Sequence, residues 1–151
     1  MAFRFSLEAI FHLRQSVEHQ QELRLRAANQ VVARVRHFIE QLDARLGQMQ
    51  LAQSQQLGTG MTAAELRFAA ACQDTLREQR RALQRELVRV QNLRDEQQKI
   101  FQRARREREI FDNLRERQRQ DYEREAARSE ERQLDEFFLL RQSYLRRSRS
   151  Q

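Results

Sequence analysis

The side chains that most often carry out chemistry are few in this chain, and their spacing does not suit a metal site. They are His12, His19, His37 and the single Cys72. None of them is joined to another by the short spacing that places metal ligands together. The chain also lacks a glycine-rich phosphate loop, a nucleophile elbow and an HExxH motif. The sequence therefore predicts no catalytic residue, no metal site, no cofactor and no enzymatic activity.

The elements that position any functional residue must then be long helices. The chain has 151 residues with 39% hydrophobic and 34% charged content, and it contains no proline and no tryptophan. This composition is typical of coiled coils and long helices. The absence of proline also removes the commonest helix breaker. High charge with low hydropathy fits disorder as well, but the apolar residues recur periodically, which favours helices.

The positive charge of the chain resides almost entirely in arginine. The net charge is +7, and only Lys99 is lysine among 29 basic residues. Because 22 acidic residues are interleaved with the arginines, we favour a salt-bridged surface over a nucleic-acid stripe. The predicted i,i+4 pairs are Arg103–Glu107, Arg105–Glu109, Arg119–Glu123 and Arg132–Glu136. After Glu136 come four arginines and no acid, a tail suited to an acidic protein surface or anionic lipid, or to fraying.

Two observations concern the compartment. A single cysteine cannot form an internal disulfide, which is consistent with a reducing environment. The first residues lack the apolar region of a signal peptide, and no run of ~18 apolar residues is present. We therefore expect the protein to reside in the cytosol.

A turn over residues 58–61 divides the predicted helices. Two of the three glycines lie there, and we expect Gly58 to end the first helix in the left-handed conformation. Thr62 and Glu65 follow with the spacing of a capping box, which begins a second helix. The sequence thus predicts helix one over about residues 6–57 and helix two over about residues 62–147.

Apolar residues of helix one recur at alternating steps of three and four residues, as in a coiled-coil seam. The seam comprises Leu25, Ala28, Val32, Val35, Ile39, Leu42, Leu46 and Met49. Upstream, Leu7, Ile10 and Val17 repeat the rhythm, with Arg14 in the place of one core residue, and joining the two runs through Gln21 requires a four-residue stutter. Val31 and Phe38 form a third apolar row beside the seam, which a two-helix pair does not need.

Helix two carries a matching row with a period of seven residues. The row is Leu76, Leu83, Val90, Gln97, Ala104 and Phe111, flanked by Leu87 and Phe101 on one side and by Leu93, Ile100 and Leu114 on the other. Lengths of about 50 and 80 residues correspond to roughly 75 and 120 Å of helix. The sequence predicts an all-α fold over residues 1–151, a single antiparallel coiled-coil hairpin in which the longer second helix overhangs the first beyond about residue 118.

The overhang ends in the most apolar cluster of the chain. Its members are Leu134, Phe137, Phe138, Leu139, Leu140, Tyr144 and Leu145. Such a cluster requires cover, because large exposed apolar patches promote association. A partner protein, a dimer of this chain or a bend of the overhang back onto the hairpin would each provide it.

Three stretches resemble the bacterial flagellar export protein family FliJ. Phe3-Arg4-Phe5-Ser6-Leu7-Glu8-Ala9-Ile10 followed by Leu13-Arg14 is similar to the opening of these proteins, and Gly58-Thr59-Gly60-Met61 resembles their turn. Arg115-Glu116-Arg117-Gln118 followed by Leu134-Asp135-Glu136-Phe137 resembles their C-terminal segment. The resemblance extends over nearly the whole chain.

The resemblance implies a component of the flagellar type III export apparatus. Members form an antiparallel coiled coil similar to the stalk of the rotary ATPase gamma subunit. They insert into the ring of the export ATPase FliI, contact the export gate protein FlhA and handle export chaperones. The expected location is the cytoplasm, peripherally at the cytoplasmic face of the inner membrane in the flagellar basal body. We expect a monomer when the protein is free, and no small-molecule substrate.

The resemblance also implies two contact surfaces. The gate-contacting surface falls on Phe38, Leu42, Arg45, Met49, Cys72, Leu76, Gln79 and Leu83. The ring-inserted end carries both termini and falls on Leu7, Ile10, Phe111, Leu114, Leu134, Phe137, Phe138, Leu140 and Tyr144. Phe38 is the residue that both the periodicity and the resemblance favour as a contact.

Three other interpretations of the function are also compatible with the residues. The chain fits a structural coiled-coil spacer or homodimer that associates through its overhang. It also fits the equivalent stalk protein of a virulence type III secretion system. An arginine-rich nucleic-acid binder is the third, and its affinity would fall steeply with salt.

Overall fold

Two long helices account for nearly all of the described chain. The computed structural model describes residues 5–148, with side-chain surroundings as far as Tyr144. Helix α1 spans Glu8–Thr59 and helix α2 spans Ala63–Ser148. This confirms the predicted all-α pair of helices with a longer second helix. The predictions that concern Phe3, Arg4, the side chain of Leu145 and the arginines after it lie outside the described residues.

The turn differs from the prediction in the identity of the glycine that ends the first helix. Gly58 lies inside α1, and Gly60 is the glycine with a positive φ, at 95°. The assignment of Gly58 was wrong because α1 continues two residues further, as far as Thr59. The Thr59 hydroxyl donates to the carbonyl of Gln56 at 3.0 Å within this last turn. The left-handed conformation that stops the helix then falls on the next glycine.

The capping box that begins α2 is confirmed. The Thr62 backbone N–H donates to the Glu65 carboxylate at 2.8 Å, and the Glu65 backbone N–H donates to the Thr62 hydroxyl at 3.3 Å. The Thr62 hydroxyl also donates to the same carboxylate at 2.8 Å. The backbone and then the side-chain hydrogen bond from Thr62 lower the pKa of Glu65. A charged Glu65 therefore stabilises the start of this helix.

The chain forms two compact units. One unit is Val17–Ala104, and the other joins the residues up to Ser16 with those from Arg105 onward. We call them the turn unit and the terminal unit. Each is described separately below.

The core of the turn unit is a small cluster of valines from both helices. Val32 and Val35 of α1 and Val90 of α2 are buried, and Ile39, Leu83 and Leu87 pack against them. Every residue of the predicted α1 seam from Leu25 to Met49 is buried or half-buried, which confirms the seam.

Polar pairs link the helices of the turn unit on both sides of this core. The Gln97 side-chain amide donates to the Gln21 side chain at 2.8 Å, and that of Gln73 donates to Gln53 at 2.7 Å. Residue numbers rise along α1 while they fall along α2, so the helices run antiparallel.

The seam continues towards the start of α1 without a stutter. Residues at the same three-and-four spacing before Leu25 are all buried or half-buried; they are Phe11, Arg14, Glu18 and Gln21. The prediction placed Arg14 and Gln21 in the seam correctly, but it was wrong in following Ile10 and Val17, of which Ile10 is exposed. It failed because these apolar residues stand next to the true seam positions Phe11 and Glu18, and Glu18 is polar. Ile10 and Val17 instead extend the third row, at seven-residue intervals from Val31 and Phe38.

Aromatic and charged contacts join the two helices within the terminal unit. Phe5 and Phe11 are buried, and the Arg115 guanidinium lies 5.3 Å from the centre of the Phe11 ring. Arg115 also lies 3.8 Å from the Glu8 carboxylate. Such stacking of a cation on an aromatic face contributes on the order of 0.5–1 kcal/mol at exposed sites. These contacts hold the first turns of α1 against α2.

The predicted i,i+4 ion pairs form in part. Arg105 donates to Glu109 at 2.9 Å and Arg119 donates to Glu123 at 3.1 Å. Glu107 instead accepts from Arg14 of the other helix. Within the described residues, neither Arg103 nor Arg132 forms an ion pair, so those two predicted pairs are absent. Among the described residues, no helix is long and apolar enough to cross a membrane.

Candidate protein-binding site

Heptad positions a to g show which side of the helix pair each residue occupies in the turn unit. On α1, Val32 and Ile39 are a positions and Val35 and Leu42 are d positions. On α2, Leu87 is an a position, and Leu83 and Val90 are d positions. In an antiparallel pair, the g positions of both helices border one side of the seam and the e positions border the other. We call these the g side and the e side.

A groove of about 500 Å³ lies on the g side. It is lined by Phe38, Gln41, Leu42, Arg45, Gln79, Ala82 and Leu83. Leu42 is buried and Leu83 half-buried, so they form the floor, while Phe38 is 51% exposed at the rim. Five of the eight residues predicted to contact the export gate line this groove. The remaining three are half-buried.

The predicted gate residues share one side of the pair. Phe38, Arg45, Cys72 and Gln79 are g positions, and the other four are d positions. Leu42, Met49, Leu76 and Leu83 therefore belong to the seam, and only their edges face the groove. A partner in the groove would be contacted mainly by the g residues, with Phe38 as the largest apolar one. Cys72 is a free, half-buried thiol.

The two sides of the turn unit differ in chemistry. The g side presents Val31, Phe38, Leu93 and Ile100 as exposed apolar side chains. Among the large exposed apolar residues at described positions of 17–104, Val88 lies beside the e side, and Leu57 occupies an e position in the last turn of α1. The surplus row predicted from the sequence is thus part of a one-sided apolar surface. This difference was missed because it emerges only when the rows of both helices are placed in register.

A second candidate surface is the C-terminal cluster of α2. From Leu134 to Tyr144 the described apolar side chains are 63–75% exposed: Leu134, Phe137, Phe138, Leu139, Leu140 and Tyr144. Every residue from Ala127 to Tyr144 is exposed, so no other described part of the chain covers this segment. The predicted uncovered overhang is present in the structure.

The other residues predicted for the ring-inserted end lie at the paired part of the terminal unit. Leu7 and Phe111 are half-buried, and Ile10 and Leu114 are partly exposed. Ile10 and Leu114 both occupy g positions.

A charged segment precedes the C-terminal cluster on α2. Arg119 donates to Glu116 at 2.9 Å as well as to Glu123, and Gln120 donates to Glu116 at 3.0 Å. The hydrogen bonds from Arg119 and then from Gln120 lower the pKa of Glu116, and the Glu116 carboxylate raises the pKa of Arg119. Contacts of this kind stabilise a helix locally by about 0.2–0.5 kcal/mol per pair. These contacts lie within one helix, so they support this segment of α2 locally.

The side chains that could do chemistry are dispersed. His12, His19 and His37 each lie within 4 Å of a glutamate on their own helix, at 3.1, 3.8 and 3.9 Å. All three are largely exposed. Within residues 5–148, no group of three or more histidine, cysteine or acidic side chains is arranged to hold a metal ion. The arrangement is suited to binding proteins through grooves and exposed apolar clusters.

The fold and these surfaces define an α-helical coiled-coil protein with an uncovered end. The family described as flagellar FliJ protein matches residues 3–149. The chain belongs to the FliJ family, whose members are non-enzymatic components of the flagellar export apparatus. No curated protein and no solved structure matches the chain.

Proposed function

We propose that this protein is a stalk of the flagellar type III export apparatus that binds the export ATPase FliI through its C-terminal cluster. The observation that carries the proposal is the exposure of that cluster, at 63–75% for each described apolar side chain from Leu134 to Tyr144. Burial of one large apolar side chain stabilises a complex by about 1.5–3 kcal/mol before ordering costs. Several adjacent ones supply a strong anchor for a hydrophobic partner surface.

The groove on the g side is the proposed contact with the export gate protein FlhA. Its rim combines the exposed ring of Phe38 with Arg45 and Gln79 over an apolar floor. An aromatic anchor beside hydrogen-bonding side chains is typical of residues that dominate binding energy. The proposal includes the escort of export chaperones. It places the protein peripherally at the cytoplasmic face of the inner membrane, through the apparatus rather than through lipid.

The ATPase contact is tested by ATP hydrolysis of purified FliI with and without this protein. We expect the full chain to raise hydrolysis or to promote ring assembly. Phe138→Ser should weaken the interaction by about thirtyfold, seen at limiting concentration, since a lost central aromatic anchor costs roughly 2 kcal/mol. Leu51→Ser is the matched control, because Leu51 and Phe138 are both 66% exposed.

Two outcomes would contradict the ATPase contact. One is unchanged hydrolysis and unchanged ring assembly with folded protein. The other is an equal loss in the Leu51→Ser and Phe138→Ser variants, which would indicate a general effect of apolar surface. A concentration-dependent dimer in sedimentation, abolished by Phe138→Ser, would favour the homodimer reading instead.

The gate contact is tested separately by titration with the cytosolic part of FlhA. Phe38→Ser should weaken binding by about tenfold, while Val88→Ser on the e side should not. Val88 is 57% exposed, close to the 51% of Phe38, so the two variants remove comparable surface. Equal affinities of both variants would show that the groove is not the contact.

A further inference from the structure

An apolar stretch of the g side lies beyond the groove and is not used by the proposed contacts. It consists of Val31 on α1 with Leu93 and Ile100 on α2, which are 38%, 52% and 49% exposed. Val31 precedes the core residue Val32, and Leu93 is one turn from the core residue Val90, so both flank the same layer. Ile100 is two turns further along α2. The three side chains form one strip between the helices.

Arginines border this strip. Apart from Glu65 at the start of α2, the charged residues at the g and c positions of the turn unit are Arg24, Arg34, Arg45, Arg89 and Arg103 with Glu86 and Glu96. Glu86 accepts from Arg89 at 2.6 Å, which neutralises that pair. Within the described residues, Arg24, Arg34, Arg103 and Glu96 form no ion pair. Three unpaired arginines and one unpaired acid therefore give the strip an apolar centre and a net positive border.

The e side provides the contrast. Arg26 pairs with Glu22 at 2.6 Å and Arg77 pairs with Asp74 at 3.0 Å. Asp43, an e position, accepts from Arg80 across the helix pair. Most charges on this side are paired within the chain, although Arg36 and Arg67 form no ion pair among the described residues. The side that also exposes apolar residues carries more unpaired arginines: Arg24, Arg34, Arg45 and Arg103.

We propose that this strip, formed by residues 24–34 of α1 and 93–103 of α2, binds an amphipathic α-helix with acidic borders from another protein. Such a helix would lie in the groove between α1 and α2 as a third helix. Its apolar face would cover Val31, Leu93 and Ile100, and its acids would pair with Arg24, Arg34 and Arg103. The α1 part and the α2 part of the strip are each about 15 Å long, which matches about three turns of the bound helix.

A second copy of the chain fits the strip less well. Its own g side carries the same arginine border, which would repel this one, and its e side is polar. Its C-terminal cluster is apolar, but every charged side chain after Glu136 is an arginine. An acidic partner helix is complementary to the net positive border of the strip. The inference does not depend on the ATPase or gate contacts.

The test uses the full chain and two synthetic amphipathic peptides of about 20 residues. The peptides share one apolar face of leucine and isoleucine, and they carry either glutamate or lysine along its borders. In fluorescence anisotropy, we expect the glutamate peptide to bind at least about tenfold more tightly than the lysine peptide. Its affinity should fall when the salt concentration rises from about 50 to about 300 mM, because screening weakens the ion pairs.

Variants locate the bound peptide. The double variant Leu93→Glu with Ile100→Glu should lose at least about tenfold in affinity, whereas Val88→Glu on the e side should stay within about twofold. The double variant Arg24→Glu with Arg103→Glu should reverse the preference towards the lysine peptide. All of these positions are exposed, and circular dichroism checks that helicity is retained.

Several results would overturn the inference. They are equal binding of the two peptides, an equal loss in the Val88→Glu variant, or an unchanged preference after the arginine reversal. A wild-type dimer that Leu93→Glu with Ile100→Glu dissociates would assign the strip to a second copy and would also overturn it. Loss of ATPase stimulation by the C-terminal variants would leave this result unaffected, so the two proposals fail separately.

Discussion

Two apolar clusters of this protein have similar residues and opposite surroundings. Val32, Val35 and Val90 are buried between α1 and α2, whereas Phe137 and Phe138 stand about two-thirds exposed on α2 alone. Both clusters lie on regular helix, and both are large enough to form a core. The difference is the presence of a second helix opposite the first cluster. Whether an apolar side chain is buried here depends on the presence of a facing helix more than on the residue type.

The comparison separates residues that stabilise the fold from residues available for binding. A buried apolar side chain contributes to stability because it is removed from water on folding. An exposed one contributes only when a partner covers it. Changes at covered and at exposed residues test this distinction.

The largest expected effect is on folding. Val90→Asp should lower the free energy of unfolding by about 3 kcal/mol or more, because it buries a charge without a partner. Phe138→Asp should change it by about 0.5 kcal/mol or less, as is usual for exposed sites. Urea denaturation followed by circular dichroism measures both. If the two variants lost equal stability, the C-terminal cluster would be part of the folded core.

The second prediction concerns the polar pair inside the covered part. Gln97→Leu leaves the half-buried Gln21 without its partner, so we expect a loss of about 1 kcal/mol. Replacing both glutamines with leucine should restore or exceed the original stability, since no polar group is then left unsatisfied. A double-mutant cycle on the unfolding free energies gives the coupling. Additive losses would show that the pair does not act as a unit.

The third prediction concerns the turn that closes the covered part, and it uses two neighbouring glycines. Gly58→Ala should stabilise the protein by about 0.5–1 kcal/mol, because Gly58 is helical and a Cβ there meets no atom within 4 Å. Gly60→Ala should destabilise it by about 1 kcal/mol, since its φ of 95° strains any side chain. Melting temperatures measure both, and opposite signs are the expected outcome. Equal signs would mean that the left-handed residue is misplaced.

The smallest effect should appear with pH at the start of α2. Glu65 has a pKa below its ordinary value of 4.5 because the Thr62 N–H and hydroxyl donate to its charged form. Its stabilisation is therefore present above pH 4.5 and is lost as the pH falls through the lowered pKa. Glu65→Gln should reduce the acid-induced drop in melting temperature relative to wild type. An unchanged drop would assign acid sensitivity to the other carboxylates.

The fold was predictable where local chemistry and apolar periodicity agree. The capping box at Thr62 and the α1 seam from Leu25 to Met49 were both identified from the sequence, as was the longer second helix. The seam before Leu25 was identified only at Arg14 and Gln21, because the apolar Val17 stands beside the polar seam residue Glu18 and shifts an apolar count by one position. Gly58 was mistaken for the helix end because two glycines lie close together and only backbone geometry distinguishes them.

The candidate site was predictable only in part. Exposure of Phe38 followed from its place in a row that the helix pair does not need, and exposure of Phe138 followed from the unequal helix lengths. The groove itself could not be predicted, since it depends on how Phe38 and Gln79 face each other across two helices. The unpaired arginines of the g side also required the contacts of each charged group. The identity of the protein that binds each surface depends on the residues of that partner as much as on those of this chain.

The ion-paired segment around Arg119 has a consequence for motion. The side-chain contacts of Arg119 lie within α2, so opening one turn there breaks local contacts of this helix. In the turn unit, opening the helix around Val90 also exposes a valine core. Amide hydrogens near Arg119 should therefore exchange with solvent much faster than those near Val90. A partner that covers the C-terminal cluster would slow that exchange, and would spend part of its binding energy on ordering this helix.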